Sequence, residues 1–383
     1  MSVTFPKGFT AAGVSAGLKS SGGKDVAVIV NTGPADVAAG VWTSNRCKAN
    51  PVLWSEQAAK DGKARVIVAN SGGANCYTGA AGFQLTHATA ELAADLVGCA
   101  PLDVLVCSTG LIGLLNDSDT LLDGVRSAAA QLGETGGRDA AAAIMTTDSV
   151  SKSAVVEATG WSIGGIAKGA GMLAPGLATM LVFLTTDADV TAADADRALR
   201  SATRVTFDRL DSDGCMSTND AVVLLASAAS GVSPTYDEFS AAVTALCADL
   251  AQQLLRDAEG SEHDIAIKVL GAASEEDAVA VARAVARSNL FKCAIYGRDP
   301  NWGRILAAVG TTRAAFDPAD LDVALNGVEV CRSSTPSPGR GEVDLSAREV
   351  AVDIDLKSGD ATATVWTNDL TTAYVHENSA YSS

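Results

Sequence analysis

Short apolar runs alternate with segments of helical periodicity along the whole chain. Several runs are rich in β-branched residues and are closed by polar or glycine-containing turns, which is typical of buried strands. The predicted strands are residues 26–30, 65–68, 104–106, 265–270, 350–354 and 361–365. Residues 88–97 and 121–132 have helical spacing instead. The pattern predicts an α/β or α+β fold in which helices cover sheets.

The second half of the chain carries clear helix-start signals. A Ser or Thr stands three residues before an Asp or Glu, which is the spacing of a capping box. The pairs are Thr191 with Asp194, Thr235 with Glu238, and Ser274 with Asp277. After Thr235, apolar residues recur at positions 239, 243, 246, 250 and 254, so the spacing predicts one helix with a single apolar face.

One junction in the chain is unusual. Residues 160–176 hold six glycines in seventeen positions, and residues 179–186 follow at once as a strand with apolar residues on both faces. A segment that permits close approach of the backbone therefore leads directly into a buried strand. This contrast makes the junction a candidate functional site.

Composition restricts the class of function. The 383 residues are 48% hydrophobic, which indicates a globular protein, and the net charge of −17 opposes binding to nucleic acid. Residues 1–20 hold no basic cluster followed by an apolar run, and no unbroken apolar stretch of about 18 residues occurs. The eight cysteines form no Cys-x-x-Cys pair, which favours reduced thiols over a zinc site or a disulfide framework. We therefore expect a cytoplasmic protein with a small-molecule substrate and with no nucleic-acid or membrane partner.

Two motifs match known patterns only loosely. Gly13-Val-Ser-Ala-Gly17 fits the nucleophile elbow of serine hydrolases, but the residues before it predict no strand. Gly169-Ala-Gly-Met-Leu-Ala174 fits a loose dinucleotide fingerprint, but Pro175 would end the required helix after one turn. We assign neither function to these residues.

The glycine-rich junction, Lys168-Gly-Ala-Gly-Met-Leu-Ala-Pro-Gly-Leu-Ala-Thr179, resembles the self-cleavage site of the ornithine acetyltransferase family. This family is also called the glutamate N-acetyltransferases and belongs to arginine biosynthesis. Four further segments are similar to the landmarks of the family, in the family's order, and cover most of the chain. They are Ser108-Thr-Gly-Leu-Ile-Gly113, Ala143-Ile-Met-Thr-Thr-Asp148, Asp299-Pro-Asn-Trp-Gly-Arg304 and Asn378-Ser-Ala-Tyr-Ser-Ser383. The resemblance implies a layered α/β fold with two sheets flanked by helices.

The resemblance also implies self-cleavage between Ala178 and Thr179. The products would be an α chain, residues 1–178, and a β chain, residues 179–383, which stay together, with two αβ pairs associating. A threonine hydroxyl needs a base to take its proton, and the α-amine freed at Thr179 has a reference pKa of about 7.7–8.0. One residue then supplies both nucleophile and base, and no metal or organic cofactor is needed. By resemblance, Thr179 would take the acetyl group from N-acetylornithine and pass it to glutamate in a ping-pong reaction.

The resemblance assigns the other site residues as well. Thr109 and Gly110 would form the oxyanion hole, after the predicted strand at 104–106. The implied substrate contacts are Thr146, Lys168, Thr179, Glu259, Asn378 and Ser383. Asn378 and Ser383 require the C-terminal tail to fold back into the cleft, because a free tail would fray. We expect Glu259 at the end of the Thr235 helix, where a carboxylate is mildly unfavourable.

Some alternatives stay open at this point. The chain has Gly-Ser-Glu-His263 after Glu259, where Gly-Ala-Thr-Lys is common in the family, and it ends in Ser383 where threonine is common. Some family members also acetylate glutamate from acetyl-CoA, and the sequence does not decide this point. An N-terminal-nucleophile aminopeptidase or amidase would share the self-processing but hand the acyl group to water. An uncleaved binding protein is the third alternative.

Overall fold

The apolar runs of the sequence form the strands of sheets in the computed structural model, which describes residues 2–174 and 180–380. The strands are β1 (Phe9–Val14), β2 (Val26–Asn31), β3 (Val37–Trp42), β4 (Val66–Asn70), β5 (Val104–Ser108), β6 (Lys152–Glu157), β7 (Ser162–Lys168), β8 (Leu181–Thr186), β9 (Ala221–Ala226), β10 (Asp264–Ala272), β11 (Asp322–Leu325), β12 (Val328–Arg332), β13 (Thr335–Pro336), β14 (Glu349–Asp355) and β15 (Ala361–Asn368). The helices are α1 (Asn50–Ala58), α2 (Gly79–Val97), α3 (Ser118–Ala129), α4 (Gly137–Ala143), α5 (Ala192–Val205), α6 (Tyr236–Arg256), α7 (Glu275–Ala286), α8 (Asn289–Tyr296), α9 (Trp302–Val309) and α10 (Thr372–Ala380).

The strands of the described residues pair into three sheets. The N-terminal sheet has the order β1-β2-β4-β5, the central sheet β3-β9-β8-β7-β6, and the C-terminal sheet β13-β12-β11-β14-β10-β15. The layered α/β class is confirmed, but the expected number of two sheets is wrong. Apolar alternation identifies a strand without showing which strands pair with it, so tertiary pairing decides the number of sheets.

Two of the sheets pack face to face. Ile29, Ile67 and Leu105 of the N-terminal sheet share a buried cluster with Ile166 and Phe183 of the central sheet. The outer face of the N-terminal sheet packs on α2 and α3, and the outer face of the central sheet packs on α5 and α6. The result is four layers, helix–sheet–sheet–helix. The C-terminal sheet has its own core with α7, α8 and α9.

Strand β8 lies between β7 and β9 in the middle of the central sheet. Leu181 belongs to the core shared with the N-terminal sheet, whereas Val182 packs in the core on the α5 and α6 side. The strand is buried on both faces, as its apolar residues predict. Thr179, the first residue of this strand as the sequence predicts it, lies outside the described residues.

The three helix-start predictions are confirmed. The side chains of Thr191, Thr235 and Ser274 each accept the backbone N–H three residues later, and Thr235 forms a full capping box with Glu238. These caps begin α5, α6 and α7. No helix in residues 2–174 or 180–380 combines the length and the apolar character that crossing a bilayer requires.

Candidate active site

The predicted nucleophile belongs to the connection between β7 and β8. β7 ends at Lys168 and β8 begins at Leu181, and these two residues are register partners in the central sheet. Ala178 and Thr179 lie outside the described residues. Met180, the first described residue after them, is buried. The site is therefore defined by the residues that surround the two ends of this connection.

Lys168 and Thr109 form a buried contact at these strand ends. Lys168 Nζ donates to Thr109 Oγ1 at 3.0 Å, and the N–H of Thr109 donates to the Asn70 carbonyl at 2.9 Å. Burial lowers the pKa of Lys168, and the carboxylates of Asp148 and Asp220 oppose that shift. Because Thr109 Oγ1 accepts a hydrogen bond from the ammonium, its own hydrogen is available for another acceptor. This is the arrangement that a hydroxyl donor to an oxyanion needs.

The turn after Thr109 requires glycine at position 110. Gly110 has a φ of +119°, and a Cβ atom there would lie 2.5 Å from the carbonyl oxygen of Gly72. The N–H of Leu111 donates to the same oxygen at 3.3 Å, which ties the turn to the neighbouring loop. The Thr109 hydroxyl and the Gly110 N–H are thus carried on one tightly packed turn.

Asp148 fixes another side of the site. Its carboxylate accepts the N–H of Gly169 at 2.6 Å, the N–H of Thr146 at 2.9 Å and the ammonium of Lys152 at 2.7 Å. Burial alone would raise the pKa of Asp148, but Lys168, Lys152 and these hydrogen bonds hold it below its ordinary value. Through Asp148, this network places Thr146 beside Gly169, the first residue after β7.

Glu259 packs against residues 170 and 171, which follow Gly169 in the connection between β7 and β8. Its N–H donates to the Ala170 carbonyl at 3.0 Å, and its carboxylate accepts the Thr147 hydroxyl at 2.7 Å and Asn378 Nδ2 at 3.0 Å. A Cβ atom on Gly171 would lie 2.5 Å from a Glu259 carboxylate oxygen. Glycine at 171 therefore lets the carboxylate approach the backbone.

The position of Glu259 corrects one expectation and agrees with another. Helix α6 ends at Arg256, so Glu259 lies in the following loop and the expectation that it ends the Thr235 helix is wrong. The C-terminal segment folds back through residue 380, because Asn378 on α10 reaches Glu259 and also donates to the Tyr374 carbonyl. Ser383 lies outside the described residues.

The polar residues directly before β9 belong to none of the motifs that predict the site. Asn219 Nδ2 donates to the carbonyls of Ala74 at 2.6 Å and Ser108 at 2.8 Å, and Asp220 Oδ1 accepts the N–H of Met180 at 3.1 Å. The available signal is a run of consecutive polar residues, 217–220, directly before an apolar strand. Complete burial raises the pKa of Asp220 to about 8, although the bond from Met180 opposes the shift.

These groups surround one cleft with about 570 Å³ of empty space, part of it open to solvent. Five of the predicted site residues line it, namely Thr109, Gly110, Thr146, Glu259 and Asn378. Lys168 is fully buried and reaches the cleft wall through its bond to Thr109. The structure thus brings together six residues that the sequence places far apart, and their individual roles stay predictions.

Two other features of the sequence lie in structural contacts. His263, at a departure from the family pattern, is buried, with ring contacts to the Asp369 carboxylate at 2.7 Å and the Leu345 carbonyl at 3.2 Å. The Gly13–Gly17 motif begins with the last two residues of strand β1, which corrects the expectation that no strand precedes it. The segment then bends around Asp25, whose carboxylate accepts four backbone N–H groups from residues 16–19.

Together, the fold and the cleft define an enzyme that acts on a small molecule. The chain belongs to the ArgJ family, whose family model it matches over residues 10–383. It is 63% identical over 383 residues to the arginine biosynthesis bifunctional protein ArgJ of Streptomyces coelicolor, with 100% of both chains covered. It is 59% identical over 382 residues to the protein of the same name from Thermobifida fusca, again with 100% of both covered. A solved structure of ornithine acetyltransferase from Mycobacterium tuberculosis, complexed with ornithine, is 48% identical, and the match covers 47% of this chain and 96% of that chain with a TM-score of 0.45.

Proposed function

We propose that this chain transfers the acetyl group of N-acetylornithine to glutamate, which yields ornithine and N-acetylglutamate in arginine biosynthesis. The observation that carries the proposal is the Lys168–Thr109 contact and the Gly110 turn beside the start of β8. It is supported by full-length similarity to bifunctional ArgJ proteins of arginine biosynthesis. Thr179, as the first residue of the β chain, is the proposed nucleophile.

The reaction takes place in two acyl transfers. Thr179 Oγ1 attacks the acetyl carbonyl, its proton passes to the α-amine of the same residue, and the tetrahedral oxyanion accepts hydrogen bonds from Thr109 and Gly110. The C–N bond then breaks, and ornithine leaves with the proton on its α-nitrogen. The α-amine of glutamate attacks the acetyl ester, the C–O bond breaks, and Thr179 regains its proton.

The remaining predicted contacts position the two amino acids. Lys168 is a hydrogen-bond donor in the buried wall and suits the α-carboxylate that donor and acceptor share. Thr146, Glu259, Asn378 and Ser383 complete the proposed substrate-binding set. The bonds that hold Glu259 between Thr147 and Asn378 support this assignment, because they fix its carboxylate at the cleft.

Self-cleavage before Thr179 would leave two chains that share one sheet. β3, β6 and β7 would belong to the α chain, and β8 and β9 to the β chain. β8 pairs with β7 along its whole length, and both strands are fully buried. Separation would expose this apolar surface to water, so the chains stay associated. We further propose that two αβ pairs assemble.

Intact-protein mass spectrometry with N-terminal sequencing tests the nucleophile. The wild type should give two chains, one of which begins at Thr179. Thr179→Ala should stay uncut, because it lacks the hydroxyl that attacks the Ala178 carbonyl. Thr179→Ser keeps a hydroxyl and is the matched control, which should be cut. A wild type that stays whole after long incubation would contradict the mechanism.

The name of the relatives, a bifunctional protein, supports a second activity of the same site. We propose that acetyl-CoA also acetylates Thr179 and thereby supplies the acetyl group for glutamate. An assay with acetyl-CoA as the sole donor should give N-acetylglutamate. Product analysis with and without glutamate separates the transferase from an aminopeptidase or amidase, which would release acetate in both cases.

A further inference from the structure

Two neighbouring residues before β9 contact both halves of the proposed catalytic machinery. Asn219 donates through Nδ2 to the carbonyl of Ser108, the residue directly before Thr109, at 2.8 Å. Asp220 accepts through Oδ1 the N–H of Met180, the residue directly after position 179, at 3.1 Å. One dipeptide therefore touches the oxyanion turn on one side and the nucleophile strand on the other.

The contact to the nucleophile strand is a two-point clamp. The N–H of Met180 is bound by the Asp220 side chain, and the carbonyl of Met180 accepts the N–H of Ala221 at 3.1 Å. Both backbone polar groups of Met180 are thus held by consecutive residues. β8 and β9 are parallel with Leu181 opposite Ala221, so the clamp lies at the start of both strands.

The dipeptide is itself rigidly held. Asn219 Nδ2 also donates to the Ala74 carbonyl at 2.6 Å, and the carbonyl of Asp220 accepts the N–H of Thr43 at 3.0 Å. Both side chains are buried, and that of Asp220 is fully so. The side chains of Ser217 and Thr43 act on the Asp220 carboxyl together with the Met180 N–H, and all three oppose the rise in its pKa that burial causes.

We infer that Asn219 and Asp220 act together as positioning residues, which set the distance and orientation between the nucleophile at 179 and the oxyanion donors at 109 and 110. Attack requires the reacting atoms to be held within a few tenths of an ångström, and a displacement of about 1 Å costs on the order of 10²-fold in rate. The inference rests on the proposed function, because it assumes that the transfer takes place at Thr179.

The test separates positioning from folding through a matched variant on the same strand. Asp187 directly follows β8, is buried, and accepts the N–H of Ser162 at 2.7 Å. Asp220→Ala and Asp187→Ala each remove a buried acceptor from one end of β8, so both should lower the melting temperature. Only Asp220→Ala should lower kcat per cleaved chain, by about 10²-fold with little change in KM. Its self-cleavage should also be slower.

Two further variants keep the inference falsifiable if Asp220→Ala does not fold. Asp220→Asn keeps an oxygen that accepts the Met180 N–H and should recover most of the rate. Asn219→Ala removes the bond to the Ser108 carbonyl, along with those to Ala74 and Thr218, leaves the Asp220 side chain in place, and should lower kcat with KM unchanged. The double variant Asn219→Ala, Asp220→Ala should lose much less than the product of the two single effects, because residues that act as a unit are not additive.

The outcomes distinguish this inference from the proposed function. A wild type that forms no acetyl-enzyme from N-acetylornithine refutes the proposed function. If the wild type is active and the Asp220 and Asn219 variants retain the kcat of Asp187→Ala, the positioning role is refuted. A loss that appears in KM alone also refutes it, because the two residues would then be substrate contacts.

Discussion

Gly110→Ala tests the oxyanion turn, because the structure leaves no room for a side chain at this position. A Cβ atom at Gly110 would lie 2.5 Å from the carbonyl oxygen of Gly72, whereas ordinary van der Waals contact begins at 3.4 Å. The opposing atom is backbone, so it cannot rotate away. The turn that carries Thr109 and the Gly110 N–H must therefore move by about 0.9 Å.

Gly110→Ala should have two separate effects, one on the free energy of unfolding and one on kcat. A backbone conformation that side chains rarely adopt costs about 1–3 kcal/mol in the free energy of unfolding. A shift of nearly 1 Å in the oxyanion donors lowers kcat by about 10²-fold through misplacement, and by up to about 10³-fold if one donor is lost. Since the two proposed donors act on the transition state more than on the bound substrate in this mechanism, we expect the KM for N-acetylornithine to change little.

Gly113→Ala is the matched control on the same loop. Gly113 also has a positive φ, +86°, but apart from Gly113 and its two chain neighbours no heavy atom of the described residues lies within 4 Å of a Cβ atom placed there. Both variants should lose stability in urea denaturation, whereas only Gly110→Ala should lose acetyl transfer, measured as kcat per cleaved chain. If the two variants lose kcat equally, or if Gly110→Ala retains wild-type kcat, the proposed oxyanion turn is wrong.

Two predictions concern buried charges. Lys152→Met should lower the free energy of unfolding by about 3–5 kcal/mol. The reason is that Lys152 Nζ is buried between the carboxylates of Asp148 at 2.7 Å and Asp257 at 2.5 Å. A variant as stable as the wild type in urea denaturation would contradict this pairing. Burial lowers the pKa of Lys292 to about 8, against opposing carboxylates. Between about pH 8 and pH 10.5 the unfolded chain therefore binds more protons than the folded chain. The free energy of unfolding of the wild type should rise with pH relative to that of Lys292→Met, by up to about 1.4 kcal/mol per pH unit. The measurement is the urea midpoint of both proteins on the uncut Thr179→Ala background. A stability difference that stays constant over this pH range would refute the lowered pKa of Lys292.

Local features of the fold are predictable from the sequence. The apolar runs at 26–30 and 104–106 are strands, and α6 begins where Thr235 and Glu238 place its capping box. The end of this helix is less predictable. Its apolar periodicity stops near residue 254 while helical residues continue to Arg256, and no side-chain pattern fixes where the following loop places Glu259.

The residues of the candidate site also differ in whether the sequence predicts them. Thr109, Gly110, Thr146, Lys168, Glu259 and Asn378 follow from motif resemblance, and the cleft brings them together. Asn219 and Asp220 do not follow from it, because their contacts exist only once β9 lies parallel to β8 and the two stacked sheets bring Ser108 close. Polar residues before a strand are common, and only their partners distinguish these two.

The sequence by itself predicts strands β2, β4, β5, β8, β10, β14 and β15, the starts of the capped helices α5, α6 and α7, and the motifs that are candidates for the chemistry. These properties depend on side chains a few residues apart, so the local pattern is sufficient. The tertiary structure alone decides that there are three sheets among the described residues, that the C-terminal helix returns to Glu259, and that Asn219 and Asp220 join the end of β5 to the start of β8. Each of these depends on pairing between residues distant in the chain, which the burial of apolar faces selects and no local pattern encodes.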